Sequence, residues 1–287
     1  KQPEEFFFDF VAVDEAQDCP AYEVAVLNGL FESEKLVIAD GVDQNLRGAQ
    51  ARWPQETKKT QTVPLKKCLR MKRNLAVFAN SVARCAGIDW GIEPNSSAPG
   101  GRVLILEGAC ADHPEMLLGL LREAEHEGNS AVDLLYCVPN KQSGQASGSL
   151  TNALKQLNWE VWNGTDNEER RKPPLSIDSH RVVTFQSCRG LEGWCVVLEQ
   201  LDVHVLSDYY RTLDAETTSN SDHGALIDPQ THAHQSAWEK IMIALTRPMD
   251  TLVISLALSE DNIVRKVIKQ VSTEHEDFVQ WVSKPPL

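Results

Sequence analysis

Val11-Ala12-Val13-Asp14-Glu15-Ala16-Gln17-Asp18 decides the fold. An apolar run, Phe6 to Val13, enters two adjacent carboxylates and then a polar turn. Such a run reads as a buried strand, and a buried strand ending in paired acids reads as the edge of a parallel α/β sheet. Hydrolysis of a nucleoside triphosphate needs this arrangement. The first acid, Asp14, would hold Mg²⁺ directly or through water, and the second, Glu15, would orient and deprotonate the attacking water. The plainer reading is a strand that ends in a solvated acidic turn.

Outward from this stretch, short apolar runs alternate with helical periodicity, as in a parallel α/β sheet. Lys35 to Ala39 reads as a second strand, and Leu75, Phe78, Ala79 and Val82 recur at helical spacing. The turn-rich stretch Asp89 to Gly101 is the expected domain junction, giving domains at 1–95 and 100–287. Beyond it, strands are expected at Arg102–Leu106, Val132–Val138, Arg181–Phe185, Cys195–Leu201 and Thr251–Leu256. Helices are expected at Pro114–His126, Leu150–Leu157, Ser236–Thr246 and about Asp261–Val271. Residues 207–235 are polar without an apolar period and read as a long surface insertion. His223, His232 and His234 fall there, without a carboxylate or cysteine at metal-ligand spacing.

Composition bounds the rest. The 287 residues suffice for two domains, with 42% apolar and 24% charged residues, an ordinary globular balance. A net charge of −13 disfavours broad wrapping of nucleic acid and leaves room for a narrow basic groove. No apolar stretch is long enough to span a membrane. Seven scattered cysteines form no CxxC pair, so they suggest neither a zinc site nor a disulfide framework and fit a reduced, cytoplasmic setting.

Further motifs follow the acidic pair in a fixed order. DEAQD, with its strand, resembles the Walker B motif of the UvrD/Rep helicases of superfamily 1. Asp40-Gly41-Val42-Asp43-Gln44 resembles the next motif of that family, usually GDxxQ, whose Gln senses the γ-phosphate; Gln44 matches it. Arg47-Gly48-Ala49 arrives about three residues early, and the shortened tail lacks the aromatic residue that stacks on a base in the family. Arg47 remains a candidate strand contact. Pro64 to Ala83 (PLKKCLRMKRNLAVFANSVA) resembles the arginine-bearing motif, with Arg70 in the γ-phosphate position and Arg73 as the fallback. A solvated basic cluster with Lys66, Lys67 and Lys72 is the alternative there.

Val182-Val183-Thr184-Phe185-Gln186-Ser187-Cys188-Arg189-Gly190-Leu191-Glu192-Gly193 resembles the T-x-x-x-x-KGLE motif. The resemblance implies that Thr184 touches the nucleic-acid backbone and Glu192 the nucleotide sugar. Arg189 replaces the usual Lys, keeping the charge on the strand-binding surface. Ile243 to Pro248 resembles the final motif, usually ALTRA, which implies an arginine finger at Arg247. A helix end capped by Arg247 and stopped by Pro248 reads the same residues structurally.

Together these five motifs imply the late part of one RecA-like domain (1–95) and a complete second one (100–287) of a P-loop NTPase. The implied activity is an ATP- and Mg²⁺-dependent motor on single-stranded nucleic acid, DNA in the family's pattern with RNA as the alternative, with 3′ to 5′ polarity. No GxxxxGK[ST] loop occurs, so the N-terminal half of the first RecA-like domain is expected elsewhere in the parent chain. The stretch alone is accordingly expected to hydrolyse ATP poorly or not at all. The large insertion that precedes KGLE in UvrD and Rep is absent, pointing to a compact relative. Two other readings stand beside the motor: a helicase-like regulatory or nucleic-acid-binding module without ATPase activity, and a nuclease- or defence-linked ATPase.

Overall fold

A computed structural model describes residues 8–16, 19–39, 53, 63, 67–140, 146–218 and 228–283. The chain divides into two compact units, residues 1–65 and 66–287.

In the first unit, β1 (Val11–Val13) and β2 (Leu36–Ile38) pair in parallel, with Val11 opposite Leu36 and Val13 opposite Ile38. The connecting helix α1 (Ala21–Leu30) starts after Pro20, whose fixed φ suits a helix entry. Its Val24 packs with Ala16 and Trp53 in a small core, with Val13, Cys19 and Leu27 around it. The Trp53 indole donates to Ala16 O at 2.9 Å, closing the turn that follows the acids.

The second unit is built on β3 (Arg102–Glu107), β4 (Leu134–Val138), β5 (Val161–Asn163), β6 (His180–Thr184), β7 (Gly193–Leu198), β8 (Pro248–Leu256) and β9 (Val279–Val282). They form one sheet in the order β5-β6-β4-β7-β8-β3-β9, and every pairing is parallel. The fold is therefore α/β with a seven-stranded parallel sheet flanked by helices. Parallel sheets are covered on both faces, so their strands lose the alternation of half-exposed ones. All five residues of β4 are buried, as the unbroken run Leu-Leu-Tyr-Cys-Val requires.

One face is covered by α3 (Pro114–His126) and α4 (Ala146–Gln156). Leu117, Leu120, Leu150 and Leu154 pack there on Leu104, Tyr136, Val182, Val197 and Val253. The remaining helices are α2 (Arg73–Ala86), α5 (Leu201–Thr218), α6 (Pro229–Leu245) and α7 (Ile263–Glu274). They pack on one another, and α2 and α5 also pack on β8.

Two expectations are corrected. The boundary at residues 95–100 lies inside the second unit, which begins at Lys66. Asp89–Gly101 is turn-rich but fastened: the Asn80 amide donates to Ile92 O and accepts from Ile92 N, both at 2.9 Å. Arg73 N and Asn74 N donate to Ala98 O and Gly100 O. Backbone groups satisfied by a neighbouring helix make a rigid strap where turn residues suggest a linker.

The insertion expected at 207–235 is largely helix, shared by α5 and α6. Its polarity misled because α5 buries polar side chains: Asp208 is buried and pairs with Arg211 and with Lys240, the latter at 3.2 Å. His234 Nε2 lies 2.8 Å from Ala86 O, and His232 pairs with Glu216. His223 lies outside the described residues. The short strands β5 and β9 are additions to the expected set. No helix among the described residues is long and apolar enough to cross a membrane.

Candidate functional site

At the first unit, Asp14 is exposed at the C-terminal end of β1, and its Oδ1 accepts from Glu15 N at 2.9 Å. Glu15 has φ +52°, in the left-handed region that non-glycine residues rarely occupy. Such strain persists where surrounding structure enforces it and concentrates at functional sites. Here backbone bonds between Ala16 N and Ala39 O (3.0 Å) and between Ala39 N and Val13 O (2.9 Å) fix the turn. An exposed carboxylate at a strand end can hold one cation oxygen-to-metal, so Asp14 fits the Mg²⁺ role only as one ligand among several. No group of three or more potential metal ligands occurs among the described residues. Gln17, Asp18, Gln44 and Arg47 lie outside them.

In the second unit, the expected residues sort onto opposite edges of the sheet. Glu192 and Arg247 stand at the starts of β7 and β8, Arg70 joins them there, and Arg181, not a candidate from the sequence, lies beside them at the start of β6. Arg70 Nε donates to Glu192 Oε2 at 2.6 Å, and Arg181 donates to Glu192 O at 2.7 Å. The approach of residues 67–72 to this edge is anchored by fully buried Met71 and by Lys72 N donating to Met249 O at 2.9 Å. Two residues further, Lys72 pairs with Asp250. Arg73, the fallback, opens α2 instead.

Arg247 is 4% exposed. Its Nε donates to Ile243 O at 2.8 Å and its NH2 group reaches Thr246 Oγ1 at 3.3 Å. The residue thus caps its own helix, and its carbonyl accepts from Gly193 N at 3.2 Å, tying the α6–β8 turn to the entry of β7. Its charge also acts on buried Cys137, whose thiol burial pushes well up. A finger role requires this side chain to leave its cap.

Thr184 sits at the opposite, C-terminal edge. Its hydroxyl lies 2.8 Å from Ser187 Oγ and accepts from Ser187 N at 3.2 Å, capping the single 3₁₀ turn Phe185–Cys188. Residues 185–192 then carry the chain from the end of β6 to the start of β7, with β4 between the two strands. Phe185 stacks on His204 with ring centroids 4.2 Å apart, and Gln186 Oε1 accepts from Asn140 Nδ2 at 2.8 Å. Arg189 follows the turn, half-buried. Asn140 and Gln186 were not expected from the sequence; their one signal is position, directly beyond the ends of β4 and β6.

Buried polar chemistry also gathers beside Thr184's edge. Glu199 follows β7 and is fully buried; its Oε2 accepts from Cys110 N at 3.0 Å and from Ser255 Oγ at 2.9 Å. Burial raises its carboxyl above the usual range. Asp202, also buried, accepts from Ala257 N and Leu258 N and holds the exit of β8.

No protein-family model matches the chain, and no curated protein matches it. Among solved structures, the C-terminal domain of a possible DNA helicase from Lactobacillus plantarum WCFS1 is similar over 76% of this chain and 100% of that one. The identity is 11% and the TM-score 0.42, a likeness that carries no argument about this chain's activity.

Proposed function

We propose that this chain is part of an ATP- and Mg²⁺-dependent motor of the UvrD/Rep type, a RecA-like P-loop NTPase that moves along single-stranded DNA from 3′ to 5′. The observation that supports the reading best is the meeting of Arg70 and Glu192 at 2.6 Å. Two residues assigned to the nucleotide by separate motifs are brought to one sheet edge. Thr184, assigned to the strand, lies at the other edge. A motor that couples hydrolysis to movement needs the two ligands on different surfaces of one rigid element. In this reading Glu15 is the base, Asp14 and Gln44 attend the metal and γ-phosphate, Arg70 and Arg247 neutralise developing charge, and Arg189 and Arg47 hold the DNA backbone. Bound Mg²⁺ would supply charge neutralisation at the phosphates.

The test is Glu15→Gln in the full-length protein, assayed for DNA-stimulated ATP hydrolysis and for nucleotide binding. Hydrolysis should fall by about 10² or more while binding persists. An unchanged rate would remove Glu15 as the base. A second reading, a helicase-like module without ATPase activity, is favoured by one observation: Arg247 is folded back on Ile243 and buried. Under it, wild-type protein would bind nucleic acid and show no turnover to lose.

A further inference from the structure

Beside the Arg70–Glu192 pair, on the side of α3, the N-terminal edge of the sheet opens into a cavity of about 520 Å³. Its lining includes Lys72, Arg102, Arg122, Glu123, Trp194 and Asp250. Trp194 is half-buried, packed against the core on one side and lining the cavity on the other. Two of the cations are already neutralised, Lys72 by Asp250 and Arg102 by Glu123. Only Arg122 has neither a hydrogen bond nor an ion pair among the described residues lining this cavity with a basic side chain of Lys or Arg type.

Glu127 also lines the cavity, so Lys72, Arg102 and Arg122 face the carboxylates of Glu123, Glu127 and Asp250. This balance of charge makes a poor seat for phosphates, which need an excess of donors and positive charge. A flat indole with a free guanidinium close by suits a flat, neutral aromatic ring, because both stack on π-faces. The volume falls within the usual range of small-ligand sites. Continuity supplies the rest: Trp194 stands two residues beyond Glu192, and Lys72 two beyond Arg70. Two residues span at most roughly 7 Å, so Trp194 stays close to Glu192 and Lys72 close to Arg70, within reach of a base whose sugar lies at that pair.

We infer that this cavity receives the base of a nucleotide, with Trp194 as its stacking surface and Arg122 as a second face. The inference rests on the nucleotide reading of Arg70 and Glu192, and it adds a specificity element which that reading does not contain. Phosphates and sugar would lie along Arg70 and Glu192, and the base would turn toward α3.

The experiment titrates the full-length protein, by calorimetry, with Mg·ATP and separately with magnesium tripolyphosphate, which lacks base and sugar. Wild-type protein should bind ATP more tightly. Trp194→Leu should weaken ATP about tenfold and leave tripolyphosphate unchanged, while Trp194→Phe keeps most of the ATP affinity. Arg122→Ala, on an exposed helix position that cannot unfold the core, should weaken ATP several-fold by itself. ATP affinity within twofold of wild type in folded Trp194→Leu and in Arg122→Ala overturns the base site and leaves the nucleotide reading intact. Tripolyphosphate binding as tightly as ATP does the same. Binding of neither ligand to wild-type protein overturns both.

Discussion

Arg70 and Glu192 are 122 positions apart in the chain, and a 2.6 Å hydrogen bond joins Arg70 Nε to Glu192 Oε2. Their side chains are 35% and 53% exposed, so water screens the pair and its net contribution to folding is at most about 1 kcal/mol. A contact of so little structural value that joins two charged groups at a sheet edge is available for exchange with a ligand. Each partner can leave the other for a phosphate or a hydroxyl at small cost.

Glu192→Gln should therefore shift the free energy of unfolding by less than about 1 kcal/mol, read by urea denaturation. The same variant should weaken nucleotide binding several-fold. A large loss of stability with unchanged binding would make the pair a structural bridge.

Arg247 makes the opposite expectation. Arg247→Ala removes a charge-assisted bond to Ile243 O inside the protein, leaving a buried carbonyl without that partner. It should cost about 2–3 kcal/mol in denaturant unfolding. Loss of turnover in this variant is therefore read only beside its stability, at a temperature where the fold persists.

Two imidazoles set an acid limit. Burial lowers His180 and His204 to about 4, from an ordinary 6.5. His180 stacks on Trp159 and faces Tyr136, while His204 stacks on Phe185, with Asp208, Arg211 and Lys240 acting on its charge. Because the folded pKa lies below the unfolded one, the unfolded chain binds more protons between pH 6.5 and 4. Stability should fall as pH falls through that window, by up to roughly 3 kcal/mol for each histidine. Urea midpoints at pH 7 and pH 5 measure the loss, and His204→Phe should reduce it.

Gly193 admits no side chain. A Cβ there would stand 2.8 Å from Cys195 O and 2.9 Å from Asp133 O, both backbone atoms that cannot swing aside. Gly193→Ala should cost about 1–3 kcal/mol and displace the start of β7 together with Glu192. Thermal unfolding checks the first effect, and reduced nucleotide binding the second.

Asn80 tests the strap over residues 89–101. Its amide makes both hydrogen bonds to Ile92, so Asn80→Ala leaves a donor and an acceptor without these partners. Proteolysis in the 89–101 stretch should accelerate, and stability should fall by about 1–3 kcal/mol. A protease-resistant variant would mean that Arg73 and Asn74 hold the strap alone.

The amino-acid order determined the alternation of strand and helix because strand burial on two faces and helix burial on one leave different apolar periods in the chain. It placed α3 at Pro114–His126 to the residue, since Pro114 can only open a helix and the apolar spacing continues behind it. It also set the candidate acids, arginines and Glu192 in order. Turn-forming residues at 89–101 and polar ones at 207–235 were misread from the same local signals. Asn80 and the buried Asp208–Lys240 pair, each remote in sequence, decide those regions. Tertiary structure alone decided strand order and the opposite edges held by Thr184 and Glu192. Those depend on which distant backbone and side-chain groups satisfy one another, and no periodicity in the chain records that.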